Sequence, residues 1–265
     1  MRRTRWHLTL CLVLLGGMIA TACETVPITG RRQLQLISAS EEMQLGVNAY
    51  QQILKKSKVS TDPQINALVT RVGSRIAAVA EQPDFQWEYR VIDDPQANAF
   101  ALPGGKIAVY TGILPITRDE AGLAAVIGHE VAHVTARHGG ERMSQQMAAQ
   151  VGLNVVSVAA GVAVGDPGAT RLAAAALGLG AQYGVLLPFS RAHESEADHI
   201  GLIYMAKAGY DPRAARDLWI RMAEAAKGSK RPPEILSTHP AEETRIKQIE
   251  EWLPEALTYY RPAGK

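Results

Sequence analysis

The chain has 265 residues, of which 47% are hydrophobic and 20% are charged. Its formal net charge is only +2, which gives no indication of nucleic-acid binding, so we expect no nucleic-acid partner. Two cysteines cannot supply a disulfide framework, and the fold must therefore rest on its hydrophobic core.

The first residues have the organisation of a secretory signal. Three arginines among the first five residues form a basic start, and residues 7–20 form an apolar segment too short to span a bilayer comfortably. Small residues then precede Cys23, which resembles a bacterial lipobox, although Ala20 stands where leucine is commoner. We predict that residues 1–22 are a lipoprotein signal peptide and that Cys23 is lipidated. A plain secretory signal with an incidental cysteine is the alternative.

Cleavage after residue 22 would change the chemistry of the chain. It would remove Cys11, three arginines and no acid, leaving one cysteine and taking the formal net charge from +2 to −1. Residues 23–40 are then the lipidated cysteine and a short tether, rich in turn-forming and basic residues. Partial alternation through Leu34, Leu36 and Ile37 allows the tether to dock as an extended strand, and a solvated linker is the alternative.

Residues 41–265 are predicted to form one domain. Capping residues and apolar periodicity indicate helices near residues 40–54 and 62–80. Alternating segments then indicate three short strands, at 85–91, 98–102 and 106–110, with a Pro-Gly-Gly turn between the last two. A sheet edge can hold an extended peptide by main-chain hydrogen bonds, but the sequence does not show which strand is the edge.

An HExxH motif follows, at residues 129–133, in a helix that we expect to begin near Asp119. Residues four apart share one face of a helix, so His129 and His133 can bind the same metal ion. Glu130 lies about 100° round the helix, where it cannot complete the ligand set but can take a proton from a metal-bound water. This is the chemistry of a zinc hydrolase. The alternative is an ordinary helix whose polar stripe contains two histidines.

The third ligand must come from elsewhere in the chain. The longer pattern HExxHxxGxxH fails, because Ala136 replaces its glycine and Gly139 its last histidine. On a continuous helix His138 would lie about 140° from His133, so we predict that His138 is a surface residue without a metal-binding role.

Residues 147–189 are rich in Ala, Gly, Val and Leu and nearly free of charge, and Asp166-Pro167-Gly168 divides them into two segments. Three interpretations remain open: buried helices packed on the catalytic helix, an apolar hairpin that enters the membrane surface, or true spanning helices. We favour the first. Both halves are marginal in length and hydrophobicity for spanning.

The next predicted helix begins at Arg191, stops at Gly209 and carries several carboxylates. One of them can complete a His-His-Glu site and leave the fourth position open for water. If Glu194 is the ligand, Asp198 lies one turn further on the same face and can hold a ligating imidazole by its other ring nitrogen. Glu196 would have no such partner and is kept as the fallback ligand. Helices over 213–227 and 241–253 follow, with a loose tail from Pro254.

The HExxH, followed about sixty residues later by Glu-x-x-Ala-Asp, resembles the M48 metallopeptidases. This family includes the CAAX prenyl proteases, HtpX and a bacterial lipoprotein branch of periplasmic quality-control proteases, and the resemblance runs from about Pro27 to Leu253. In the family, a ligating Glu is followed by Asp four residues later, and these fall on Glu194 and Asp198. The resemblance therefore implies one Zn²⁺ held by His129, His133 and Glu194.

Other segments also resemble parts of the family. The His239-Pro240 loop with Arg245 resembles a His-Pro loop and arginine, which implies that His239 either donates a hydrogen bond to the oxyanion or covers the zinc at rest. The Pro-x-Thr-Gly-Arg patch at residues 27–31 resembles the segment after the lipid anchor. The segment matching residues 98–105 lies by the cleft, so Asn98 to Ala101 are candidates for substrate contact, unless they only form a hairpin.

Together these observations predict an α+β fold: a predominantly helical, gluzincin-like zincin domain with a small three-stranded sheet beside the HExxH helix. The predicted function is a zinc-dependent endopeptidase that cleaves misfolded or unassembled envelope proteins, with Glu130 as general base and with Asp198 and His239 assisting. We expect a periplasm-facing lipoprotein of the bacterial envelope, anchored through Cys23. Because Glu24 is not an aspartate, we expect the outer membrane.

Two alternatives to this function remain open. One is a non-catalytic, chaperone-like envelope lipoprotein with a structural zinc. The other is a zinc hydrolase that acts on cell-wall peptides, although a cleft beside a sheet suits extended polypeptide better.

Overall fold

A computed structural model describes residues 23–159, 190–227, 233–239 and 243–262. Helices predominate, and a small sheet lies in the first half of the chain, so the α+β prediction is confirmed. The described strands are β1 (Cys23–Thr25), β2 (Arg32–Leu34), β3 (Glu88–Ile92), β4 (Ala99–Leu102) and β5 (Lys106–Tyr110). The described helices are α1 (Ala39–Lys56), α2 (Pro63–Val79), α3 (Leu114–Thr117), α4 (Glu120–Thr135), α5 (His138–Ala159), α6 (Arg191–Lys207), α7 (Arg213–Ala226), α8 (Ile235–Thr238) and α9 (Glu243–Tyr259).

The first two helices begin where their side chains can cap them. Ser38 caps α1 in a reciprocal capping box with Glu41, two residues before the predicted start. Asp62 accepts hydrogen bonds from the first turn of α2, and proline at the first helical position has no N–H to leave unsatisfied. The second helix was predicted from this signal, whereas the first was predicted from a cap at Ser40 that the structure replaces with Ser38.

Three strands form the sheet that was expected beside the HExxH helix. Strand β5 is central; β3 pairs with it in parallel and β4 pairs with it in antiparallel orientation. Strands β3 and β4 therefore both lie at an edge of this sheet, and β4 packs against α4, which carries the HExxH. The predicted first strand begins three residues later than expected, at Glu88.

Helix α4, which carries the HExxH, lies at the centre of the domain. Every residue from Gly122 to Thr135 is buried, between α6, α2, α7 and β4. Its apolar residues belong to the main hydrophobic core, so the metal-binding motif is surrounded by packed side chains. Helices α4 and α6 approach each other closely at Gly128 and Gly201, where neither residue has a side chain to hold them apart.

The segment after Cys23 is folded onto the domain. Strands β1 and β2 pair in antiparallel orientation, and Val26 between them is buried in the main core. Arg31 forms ion pairs with Glu141 and Glu196, and Arg137 forms ion pairs with Glu24 and Glu42. Residues 23–37 therefore dock onto the domain, although the strand is shorter than predicted and Leu36 is exposed.

The last helix is longer than predicted. The tail from Pro254 was predicted to be loose, which is wrong: α9 continues through Pro254 to Tyr259, because Ala256 is buried in the core.

The apolar segment 147–189 lies mostly outside the described residues, since only α5, as far as Ala159, is described. Among the helices that the structure describes, none is both long and apolar enough to cross a membrane.

Candidate metal centre

Helix α4 supplies the first three residues of the site. Asp119 caps the helix by accepting a hydrogen bond from the backbone N–H of Gly122, which fixes where the helical turns begin. His129 and His133 then project from one face, and their Nε2 atoms lie 3.1 Å apart. Both imidazoles and the Glu130 side chain are buried.

Two other elements complete the cluster. Glu194 comes from the first turn of α6, and His239 follows the short helix α8. One ligand atom from each of His129, His133, Glu194 and His239 lies within 4.8 Å of the other three. The structure thus brings together all three predicted ligands and the predicted loop histidine.

The spacing of these donor atoms fits one zinc ion. Ligands about 2.0–2.1 Å from a tetrahedral zinc lie roughly 3.3 Å from one another. In the structure, Nε2 of His133 is 3.3 Å from Oε1 of Glu194, and Nε2 of His129 is 3.5 Å from Oε2 of Glu194. Nδ1 of His239 lies 3.3 Å from Nε2 of His129 and 2.8 Å from Oε1 of Glu194. Two imidazoles and a carboxylate are also the donor set that catalytic zinc uses, and His239 supplies the fourth donor.

Asp198 and Arg245 hold this cluster from the side of α6 and α9. Oδ1 of Asp198 lies 2.9 Å from Nδ1 of His129, which is the predicted position behind the ligand. Nη1 of Arg245 lies 2.9 Å from Oε2 of Glu194, and its Nε pairs with Asp198 at 2.5 Å. The guanidinium carbon is 3.5 Å from the ring centroid of Trp219, so the buried cation also lies over an aromatic face.

The charges in the cluster shift the pKa of its members. Burial alone would raise the pKa of Glu194, but His239, His129 and His133 together hold it far below the ordinary range. Burial also acts against ionised Asp198, yet Arg245 and His129 lower its pKa. Both carboxylates are therefore anionic at neutral pH, as a cation site requires.

The two histidines of the HExxH differ in their pKa. Burial, the largest influence, and His129 lower the pKa of His133 well below its usual value although Glu194 opposes them. Burial and Arg245 also act to lower the pKa of His129, but hydrogen bonds to Asp198 and Glu194 outweigh them and raise it to about 9. A metal ion at Nε2 of His129 must therefore displace a proton from that ring.

Glu130 is buried beside the cluster without joining it. Its Oε1 lies 3.4 Å from Nε2 of His239 and accepts no hydrogen bond from any residue that the structure describes. Burial raises the pKa of this carboxyl, more than neighbouring His239 and His129 lower it. A carboxylate whose affinity for protons is raised in this way is suited to accept one during a reaction.

Two sequence-based expectations about this region need revision. The prediction that His138 lies on the surface is wrong: the chain leaves the helical path after Thr135, and Arg137 adopts a left-handed φ of 55°. This turn directs His138 back toward the site, where it is fully buried against His133. The fallback ligand Glu196 points away from the donor cluster and pairs with Arg31 and His138.

Sequence reasoning also missed part of the surroundings. Trp219 lies in the core, and its ring also contacts Arg245 and lies edge-on to His129, with ring centroids 5.8 Å apart. The Thr29 hydroxyl and the Arg31 guanidinium reach Glu196 from the N-terminal segment. The Pro-x-Thr-Gly-Arg patch was the only signal in the sequence that could have pointed to them. The edge strand β4 includes three of the candidate substrate-contact residues, Ala99 to Ala101.

Comparison with known proteins supports this picture. The sequence pattern of peptidase family M48 matches residues 63–253. The mitochondrial metalloendopeptidase OMA1 of Schizosaccharomyces pombe is 39% identical over 265 residues, covering 96% of this chain and 74% of that protein. OMA1 of Danio rerio is 35% identical over 274 residues, covering 96% and 56%. The beta-barrel assembly-enhancing protease of Escherichia coli is 29% identical over 244 residues, covering 90% of this chain but only half of that protein.

Proposed function

The chain belongs to peptidase family M48 and is a zinc metalloprotease, and from this premise we propose that it cleaves misfolded or unassembled proteins of the bacterial envelope. The observation that carries the proposal is the buried cluster of His129, His133, Glu194 and His239 with Glu130 beside it. We assign His129, His133 and Glu194 as the ligands of one zinc ion.

The chemistry follows from what the surrounding side chains can do. When bound, zinc would polarise the peptide carbonyl and increase the acidity of a water molecule. Glu130 takes a proton from the water while the oxygen of the water bonds to the carbonyl carbon. As the carbon–nitrogen bond breaks, Glu130 gives this proton to the leaving amine. Asp198 keeps the ring of His129 oriented throughout, through the contact to Nδ1.

His239 has a separate role in this proposal. Its Nδ1 lies among the donor atoms, where it would compete with water or substrate for the fourth position. We therefore assign it as a lid that covers the zinc at rest. A movement of the short helix α8 would carry the ring away when substrate binds, and in that state His239 could instead donate to the oxyanion.

The outer edge of β4, beside the HExxH helix, supports an extended polypeptide as the substrate. A polypeptide in extended conformation can pair with this edge through its main chain, which favours unfolded segments over folded ones. One relative is named a beta-barrel assembly-enhancing protease, and this supports an envelope protein as the substrate. Other relatives are named as mitochondrial proteins, so the names of the relatives do not agree on a location. We therefore infer the cellular location from the N-terminal segment.

For the location, we propose that residues 1–22 are a lipoprotein signal peptide and that lipidated Cys23 anchors the protein, facing the periplasm, in the outer membrane. Residues 23–40 would then be the tether and 41–265 the peptidase domain. Because β1 begins at Cys23 and pairs with β2, no long flexible segment would separate the lipid from the folded domain. The anchor would therefore hold the domain close to the lipid surface.

A cleavage assay tests this function. The purified protein is incubated with casein, with an unfolded outer-membrane β-barrel protein and with cell-wall peptides, each with added zinc and with a chelator. We expect fragments of both proteins, and these should disappear with the chelator. Binding of unfolded protein without fragments would instead support a chaperone-like lipoprotein with structural zinc. Cleavage of cell-wall peptides but of neither protein would support the other alternative, and either result would overturn the proposal.

A further inference from the structure

His133 contacts a second histidine on the side of its ring that faces away from the donor cluster. Nε2 of His133 lies among the proposed ligands, while its Nδ1 is 2.9 Å from Nδ1 of His138. Nε2 of His138 in turn lies 2.9 Å from Oε2 of Glu196. Two ring-to-partner contacts therefore link a proposed zinc ligand to a carboxylate on α6.

The direction of these hydrogen bonds follows from zinc binding. If Nε2 of His133 offers its lone pair to the metal, the proton of this neutral ring is on Nδ1. That N–H donates to Nδ1 of His138, which must accept, so the proton of His138 is on Nε2 and donates to Glu196. Each ring then has one defined tautomer, and the carboxylate is the final acceptor.

The N-terminal segment holds the carboxylate at the end of this chain. Nε of Arg31 lies 2.8 Å from Oε2 of Glu196, and the Thr29 hydroxyl donates to Oε1. The same guanidinium forms a second, two-pronged pair with Glu141 of α5, at 3.0 and 2.7 Å. The positive charge beside the buried carboxylates of Glu196 and Glu141 thus comes from the partly exposed Arg31, and a metal ion is not required there.

The other α4 ligand is held in a comparable way. Nδ1 of His129 contacts Asp198 directly, whereas Nδ1 of His133 reaches its carboxylate through one additional ring. We propose that His138, Glu196 and Arg31 form a positioning chain that fixes the orientation and tautomer of His133. The contact between Arg31 and Glu196 then couples this part of the N-terminal segment to zinc affinity. This inference rests on the proposed ligation of zinc by His133.

Zinc affinity is the measurement that tests the chain. Full-length protein is titrated with Zn²⁺ against a fluorescent chelator, and its Co²⁺ form is examined by visible absorption, which reports ligand geometry. His138→Phe keeps a ring of similar size but neither nitrogen, and Glu196→Gln keeps the shape but not the charge. We expect each to bind zinc about 10- to 100-fold more weakly and to alter the cobalt spectrum, as loss of an outer partner of a ligand does.

Two variants separate positioning from general damage. His138→Gln retains an acceptor and a donor and should recover part of the affinity that His138→Phe loses. His193→Phe is the matched control. His193 stacks on His138 with ring centroids 4.5 Å apart, but it pairs with Glu141 and is not part of the proposed chain from His133 to Arg31. This control should bind zinc nearly as the wild type does. Equal losses in His193→Phe and His138→Phe would overturn the proposal.

The coupling to the N-terminal segment has its own control. Arg31→Met removes the charge beside Glu196, whereas Arg137→Met removes a different arginine that also ties this segment to the domain, through Glu24. Only Arg31→Met should weaken zinc binding. If His138→Phe does not fold, Glu196→Gln decides alone, and its unchanged affinity would refute the chain. Failure of the wild type to bind zinc would instead contradict the ligand assignment.

Discussion

A Cβ atom on Gly201 would lie 3.0 Å from the backbone nitrogen of His129, a closer approach than nine in ten such contacts in folded proteins. The contact joins α6, which carries Glu194, to α4, which carries the two histidines. The distance between the proposed ligands therefore depends on the absence of a side chain at residue 201.

Gly201→Ala should disturb the site without changing any of its chemical groups. The methyl would meet backbone atoms of Gly128 and His129, which cannot rotate away, so the two helices must separate. We expect a loss of about 1–3 kcal/mol in the free energy of unfolding, together with weaker zinc binding. Urea denaturation and zinc titration of the purified variant measure both. Wild-type stability and affinity would show that the close approach is not needed.

Glu194 is expected to matter more for zinc than any residue behind the ligands. Glu194→Gln removes an anionic ligand from a buried site and leaves Arg245 without one of its two carboxylate partners. The loss of affinity should exceed the roughly 10- to 100-fold expected for partners outside the ligand set. Metal analysis after gel filtration gives the zinc content. A zinc content equal to that of wild type would favour Glu196 as the third ligand.

Removal of His239 should increase the cleavage of short peptides. In the structure its ring competes for the fourth donor position, so His239→Ala would expose that position to water and substrate. We expect a higher kcat for a short fluorogenic peptide, with zinc still bound by three residues. A fall in kcat at unchanged KM would indicate that the ring mainly stabilises the oxyanion.

Glu42 gives a prediction about pH. Burial raises its pKa, against the opposing effect of Arg137, so the folded protein holds this proton to a higher pH than the unfolded chain does. The stability that Glu42 contributes is therefore present below pH 4.5, the ordinary pKa of the group, and decreases as the pH rises through the folded pKa. Between these two pKa values the decrease is about 1.4 kcal/mol per pH unit. Glu42→Gln should lack this decrease.

Chemical denaturation at pH values from about 4.5 to 7.5 measures this decrease. As the pH rises, the unfolding free energy of the wild type should fall relative to that of Glu42→Gln. A constant difference would show that the pKa of Glu42 is not raised. Thr135→Val, on the C-terminal turn of α4, is a buried polar control without a titratable group.

Much of the fold could be predicted because the signals are local. Asp62-Pro63 and Asp119 act within a single helical turn, and the HExxH spacing brings two imidazoles to one face whatever lies around them. The placement of Glu194 beside them is a long-range contact, and it was inferred from the regular helical spacing of Glu194 and Asp198 together with a family resemblance.

The error at His138 arose where a short turn changed the direction of the chain. The surface position of His138 was deduced from a continuous helix, and one left-handed residue, Arg137, invalidated that geometry. No periodicity in the sequence indicates such a turn, because Arg is not a residue that favours it. Likewise, nothing local shows that Arg31 reaches Glu196, since the two residues are far apart in the chain.

The central claim is that Glu130 accepts the proton of the attacking water in a site that holds zinc without it. The most direct test measures zinc content and peptide cleavage of Glu130→Gln and wild type in parallel. We predict one zinc per chain in both proteins, with kcat reduced by about 10²- to 10⁴-fold in the variant. Turnover near the wild-type rate with zinc bound would contradict the account.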